Sequence, residues 1–171
     1  MGTWTTTPRT WVAGEIPTAT HFNENLRDFG RAFADAWGSY TPTLTASTTN
    51  PTNWTQTGYY MQAGKLVIAK FEVLAGGGMT KGSGTYRVAL PVNANTTMGS
   101  LYGSLYIGTV TLRDASTGNT YYAQAAVANT AYITLNYAAT YGGGAANVTD
   151  IAPWTWAASD MISATIVYEA A

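Results

Sequence analysis

The sequence predicts a mainly β protein: a β-sandwich or jelly-roll-like domain over residues 38–171, an extended arm over 1–17 and one short amphipathic helix over 18–37. Three observations carry this. From Gly38 onward apolar residues alternate with polar ones at period two, the pattern of half-buried strands. Gly, Pro, Asn and Thr clusters break these runs at spacings of about 8–12 residues, as in sandwiches and jelly rolls. The composition favours pleated surfaces: 12 Tyr, 6 Trp and 18 Gly, with abundant Thr, while charged residues make up only 10% of 171, against about 25% in soluble domains.

The arm is Thr-rich and carries Trp4, Pro8, Trp11, Gly14 and Pro17. The two prolines push their preceding residues out of the helical region. Trp4 and Trp11 have no local core, so they need a partner surface on this domain or on another protein. Thr18 is the expected N-cap of the helix. Its apolar positions Ala19, Phe22, Leu26, Phe29, Phe33 and Ala36 are spaced three and four apart, a heptad seam. This stripe leaves two arrangements open: a helix lying on its own β domain, or a short bundle about a symmetry axis. So short a helix is marginal alone and needs tertiary support.

Tyr40–Ala46 reads as a first strand, an edge strand because of Pro42. Trp54–Gln62 is the second. Lys65–Leu74 is the clearest, with Val67, Ala69, Phe71 and Val73 on one face, and Gly76–Gly78 is expected to end it. Thr85–Leu90 follows, stopped by Pro91. Leu101–Arg113 is long, with Gly103 and Gly108 as expected kinks. Ala115–Asn119 is a turn, Thr120–Val127 and Ala131–Tyr137 are strands, Tyr141–Ala146 is a loop, and Met161–Glu169 closes the domain.

Composition also limits function. A net charge of −1 provides no broad footprint for nucleic acid or an anionic membrane. With no Cys, disulfides and thiolate metal sites are excluded. No apolar run approaches a membrane span, and the first residues lack the order of a secretory signal. The low surface charge points to association into an oligomer.

The chain is poor in catalytic groups. Its one His, His21, falls in the first helical turn, where a solvent-facing or capping role is expected. Asp150 and Asp160 flank Trp154 and Trp156, so a sugar-cleaving pair is one reading of them; loop acids beside core aromatics is the other. Asp114 sits where turns use Asp for backbone reasons. No spacing marks a calcium or zinc site, and no cofactor motif is present. The expectation is a protein that is not an enzyme. Trp54, Tyr59, Tyr60, Trp154 and Trp156 form a possible ligand surface, since aromatic faces stack on sugars, with core or interface packing as the alternative.

Two stretches resemble proteins of tailed phages and prophages of actinobacteria. Thr10–Asp28 (TWVAGEIPTATHFNENLRD) is similar to the opening of many minor tail or fibre-like proteins. Around Trp37–Leu90, the pieces WGSYTPTLTASTTNPTNW, TGYYMQAGKLVIAKFEV and GSGTYRVALPV resemble a β domain of such structural proteins. The resemblance implies a virion surface component, commonly trimeric, made in the host cytoplasm and docked on capsid or tail by its N-terminal segment. With the aromatic arm and the heptad seam, docking and oligomerisation are expected of Trp4, Trp11, Phe22, Leu26, Phe29 and Phe33. The implied partners are other copies of the chain, further virion proteins and host-surface glycan. At 171 residues the chain has no room for a fibre shaft, which favours a short tail component or a capsid decoration protein.

Overall fold

A computed structural model describes residues 12–22, 30, 37–97, 105–138 and 145–171. Trp4, Trp11, Leu26, Phe29 and Phe33 lie outside the described residues, and with them most of the expected docking stripe. Helix α1 spans Ala19–Phe22, and Gly30 is helical as well. Thr18 caps α1 as expected: its Oγ1 accepts the His21 N–H (3.2 Å), and the His21 ring Nδ1 accepts the Thr18 N–H (3.3 Å). This reciprocal pair satisfies two donors at the helix start. Phe22 is half exposed.

The strands are β1 (Gly38–Tyr40), β2 (Leu44–Ala46), β3 (Thr52–Ala63), β4 (Leu66–Thr80), β5 (Tyr86–Ala89), β6 (Leu105–Arg113), β7 (Thr120–Val127), β8 (Tyr132–Ala138), β9 (Ala145–Asn147) and β10 (Met161–Glu169). Every paired strand is antiparallel to its neighbour, and together they form one ten-stranded sheet in the order β1-β3-β4-β10-β6-β7-β8-β5-β2, with β9 beside β8. The first and last strands of that order are joined by only Thr41, Pro42 and Thr43. Tyr40 and Leu44 are therefore at most about 14 Å apart even if fully extended. The sheet curls until its two edges nearly meet, which removes most exposed edge.

The curl encloses one core. Inward-facing side chains from all parts of the sheet, among them Leu44, Val73, Val88, Val110, Ala125, Leu135 and Ile162, belong to a single cluster. The period-two pattern is clearest in β10, where Ile162, Ala164, Ile166 and Tyr168 are buried and Thr165, Val167 and Glu169 are exposed.

Three expectations change. The strand expected over Tyr40–Ala46 is two strands, because the chain leaves β3 at Pro42 and joins β5 on the opposite edge. β4 does not end at Gly76–Gly78 but runs through them to Thr80. Asn53, at φ 58°, makes the bulge that lets β3 follow, and its side-chain amide donates to the Gly77 carbonyl. A Cβ at Gly76 would press on the Asn53 carbonyl, so the glycine marks close backbone approach and not a chain break. Part of the loop expected at Tyr141–Ala146 is β9; the rest of that loop, and Gly103, lie outside the described residues. The kink at Gly108 is present as a register shift between Tyr106 and Gly108. No room exists there for a side chain, because the Thr165 carbonyl of β10 stands where a Cβ would project.

Candidate functional site

The two ends of the core differ. At one end Tyr40, Tyr60 and Tyr168 gather. Tyr40 and Tyr60 meet edge to face at 5.9 Å, and Tyr168 exchanges hydrogen bonds with the backbone of Val92 (2.8 and 3.3 Å). Burial pushes the Tyr168 hydroxyl up to about 12, and burial also raises Tyr40 well above the ordinary range. At the other end five rings form a chain. Tyr86, Trp54 and Trp156 lie mutually within 6.2 Å, Trp154 stacks on Trp156 at 4.6 Å, and Tyr121 covers Trp154 at 4.9 Å. The indole N–H groups are all engaged: Trp54 on the Thr80 carbonyl (3.1 Å), Trp156 on Thr149 (2.8 Å) and Trp154 on Asp160 (2.8 Å). Tyr86 donates to the Lys81 carbonyl (2.8 Å), and its ionisation is disfavoured first by burial and then by the charge of Asp150.

This aromatic end corrects part of the expected ligand surface. Trp54 and Trp156 are buried, at 9% and 3% exposure, so their faces are taken up by neighbouring rings and offer nothing to a sugar. Trp154 is half-buried under Tyr121. Tyr60 points inward, and Tyr59, its neighbour in β3, points outward on the opposite face. The five residues do not form one platform.

The carboxylates beside these rings serve loops. Asp160 is fully buried and accepts three hydrogen bonds: from Ala115 N–H (2.9 Å) on one oxygen, and from Trp154 Nε1 and Ala157 N–H (both 2.8 Å) on the other. It ties the 115–119 turn to the 157–160 turn. Asp150 accepts from Gly84 N–H (3.0 Å). Asp114 Oδ1 accepts from the hydroxyl and N–H of Ser116 (2.7 and 2.9 Å) and from Thr117 N–H (3.2 Å). The Ser116 hydroxyl leads in holding its carboxyl below the usual carboxylate range, against a partial desolvation cost. Asp160 has both oxygens committed to structure, which is not the setting of a general acid or a nucleophile facing substrate. Among the described residues, no group of three or more His, Cys, Asp or Glu is placed to hold a metal, and no helix is long and apolar enough to cross a membrane.

The outer face of the sheet is the site that sequence reasoning missed. Cross-strand register sets Tyr59, Lys70, Thr165, Thr109, Gln124 and Asn136 in one row over β3, β4, β10, β6, β7 and β8. Asn147 of β9 continues it opposite Asn136. A second row runs beside it through Thr57, Glu72, Ser163, Thr111 and Tyr122. Lys70 lies over the rings of Trp37 (4.9 Å) and Tyr59 (5.9 Å), a cation–π arrangement at one end of the row. Tyr122, 72% exposed, stands near the other end. The signal was available as the outward parity of each strand, but linking strands needs the register, which the sequence does not print.

No family model, curated protein or solved structure matches this chain.

Proposed function

We propose that this chain is a non-enzymatic structural protein of a tailed-phage particle, a homotrimer attached to capsid or tail through residues 1–37, with the curled sheet as its outward domain. One observation supports this most: the sheet closes an apolar core on its inner face, while the two central rows of its outer face are mostly Thr, Ser, Asn and Gln, with Lys70 and Glu72 as their charged members. Asp114, Asp150 and Asp160 hold loops, so the acids of the aromatic end are committed to architecture. Such a domain presents a surface and leaves attachment to the segment before it, where Trp4, Trp11, Phe22, Leu26, Phe29 and Phe33 are concentrated. In finer terms we read the curled sheet as sandwich-like, with the chain changing sides at Pro42 between β1 and β2.

Deletion of residues 1–37 tests the assignment. The truncated chain is expected to stay folded and to be lost from particles; incorporation at the full-length level would remove the docking role. Light scattering on the intact chain is expected to give three times the chain mass, and a monomer at micromolar concentration would remove the trimer. A second reading, binding of host-surface glycan, is favoured by the hydroxyl- and amide-bearing rows of the outer face.

A further inference from the structure

We infer that the outer face carries a groove for an extended, uncharged polysaccharide, running across the strands from Tyr59 to Tyr122. The inference rests on the glycan-binding reading above and gives it a location and a ligand class.

Three depressions of about 350, 500 and 420 Å³ adjoin along the two rows. The first and second share Ser163, and the second and third share Thr109, so the three lie end to end. From β3 to β8 the row crosses five strand spacings of about 4.8 Å, giving a length of about 24 Å. Because the sheet curls, this is a contour around its convex outer face, open along its length to a chain that follows the curl.

The lining selects the chemistry. Thr165, Thr109, Gln124 and Asn136 offer hydroxyls and planar amides, each able to donate and accept, and therefore matched to sugar hydroxyls. Lys70 and Glu72 are the charged residues along this stretch; they sit side by side on adjacent rows and offset each other, so the trough has no net attraction for an anion. The highly exposed Tyr122 at one end supplies a flat face for the apolar side of a sugar ring, and Tyr59, with Lys70 over its ring, closes the other end. Asn136 lines the third depression, and its Oδ1 is buried with no hydrogen-bond partner among the described residues. An unpartnered buried acceptor is costly, and rotation of the amide toward the trough would let a ligand hydroxyl donate to it.

The test is electrophoresis of the purified full-length chain through native gels containing a β-glucan, an α-glucan, a galactomannan or, as the charged control, alginate. At least one neutral polysaccharide is expected to retard it, and alginate is not. Tyr122→Ala and Gln124→Ala, both at exposed positions and therefore compatible with folding, are each expected to weaken the retardation by about five- to tenfold, the scale of one lost hydrogen bond or stacking contact. Tyr121→Phe, on the other face, is expected to leave it unchanged. Retardation that survives both groove variants overturns the site while leaving glycan binding in place. Absence of retardation by every neutral polysaccharide, or retardation by alginate alone, overturns both. Loss of self-association, measured by light scattering, on Tyr122→Ala without any polysaccharide binding by the parent assigns the face to a second copy of the chain and also overturns the proposal.

Discussion

Tyr59 and Tyr60 are neighbours in β3, and the sheet sends them to opposite ends of the physics of aromatic residues. Tyr60 packs edge to face on Tyr40 inside the curl, whereas Tyr59 stands outside beside Lys70 and Trp37. The same division runs through the sheet among the described residues. Inward aromatics interlock, and Trp54, Trp156, Tyr86 and Tyr168 have their polar atoms tied to the backbone, Trp154 to Asp160, while the buried Tyr40 hydroxyl has no partner among the described residues; outward, Tyr59 lies beside Lys70 and Tyr122 stands open to solvent. Residue type does not separate a structural ring from a binding ring here, but strand parity does. The largest effect expected from this contrast comes from Trp156→Ala. It removes a buried ring that touches Trp54, Tyr86 and Trp154 and leaves the Thr149 carbonyl only its longer bond from the Ala152 N–H, so urea unfolding should show a loss of about 3–5 kcal/mol. Tyr122→Ala should change stability by no more than about 0.5 kcal/mol. Equal losses for the two would dissolve the contrast between the faces.

Acids divide in the same way. Asp160 is buried and accepts three N–H donors, while Glu72 lies exposed on the outer face. Asp160→Asn puts an NH₂ group against at least one of those donors, and the expected loss is about 2 kcal/mol or more in the same urea titration. Glu72→Gln should be nearly silent, because exposed charges on such a surface contribute little. If Asp160→Asn kept full stability, the claim that this acid is a loop tie would fail, and a chemical role for it would reopen.

Much of the fold was legible from periodicity. Thr120–Val127 and Met161–Glu169 are strands over the residues that alternation marks, since each has one wet and one dry face. Gly108 was legible as a kink because a glycine inside an alternating run marks close backbone approach. The extension of β4 through Gly76–Gly78 was not, since its cause is Asn53 on the neighbouring strand. Nor was the fate of Trp54 and Trp156 distinguishable: a buried Trp and a sugar-stacking Trp are the same letter, and only the curl that brings β3, β5 and the 149–160 segment together buries them. The outer row was the least legible, because Lys70, Thr165, Thr109 and Gln124 are distant in sequence and become neighbours only through antiparallel register.

The smallest expected effect concerns Asp114, which stands between the two regimes: the residue is nearly enclosed, yet its carboxylate serves only its own turn through Ser116 and Thr117. Its folded-state ionisation is shifted below the ordinary value of 3.8. A depressed acid stabilises the fold while it is ionised, so the contribution is fully present above pH 3.8 and is lost as pH falls through the lower folded-state value. Asp114→Asn keeps one acceptor oxygen and removes the charge. It should lower Tm at neutral pH by less than Asp160→Asn does, and the gap to the parent protein should narrow steadily once pH drops below 3.8. The check is Tm as a function of pH for both proteins. A gap that stays constant into acid would mean that the charge on Asp114 contributes nothing and that the turn is held by geometry alone, which would place Asp114 with the outer-face residues and not with Asp160.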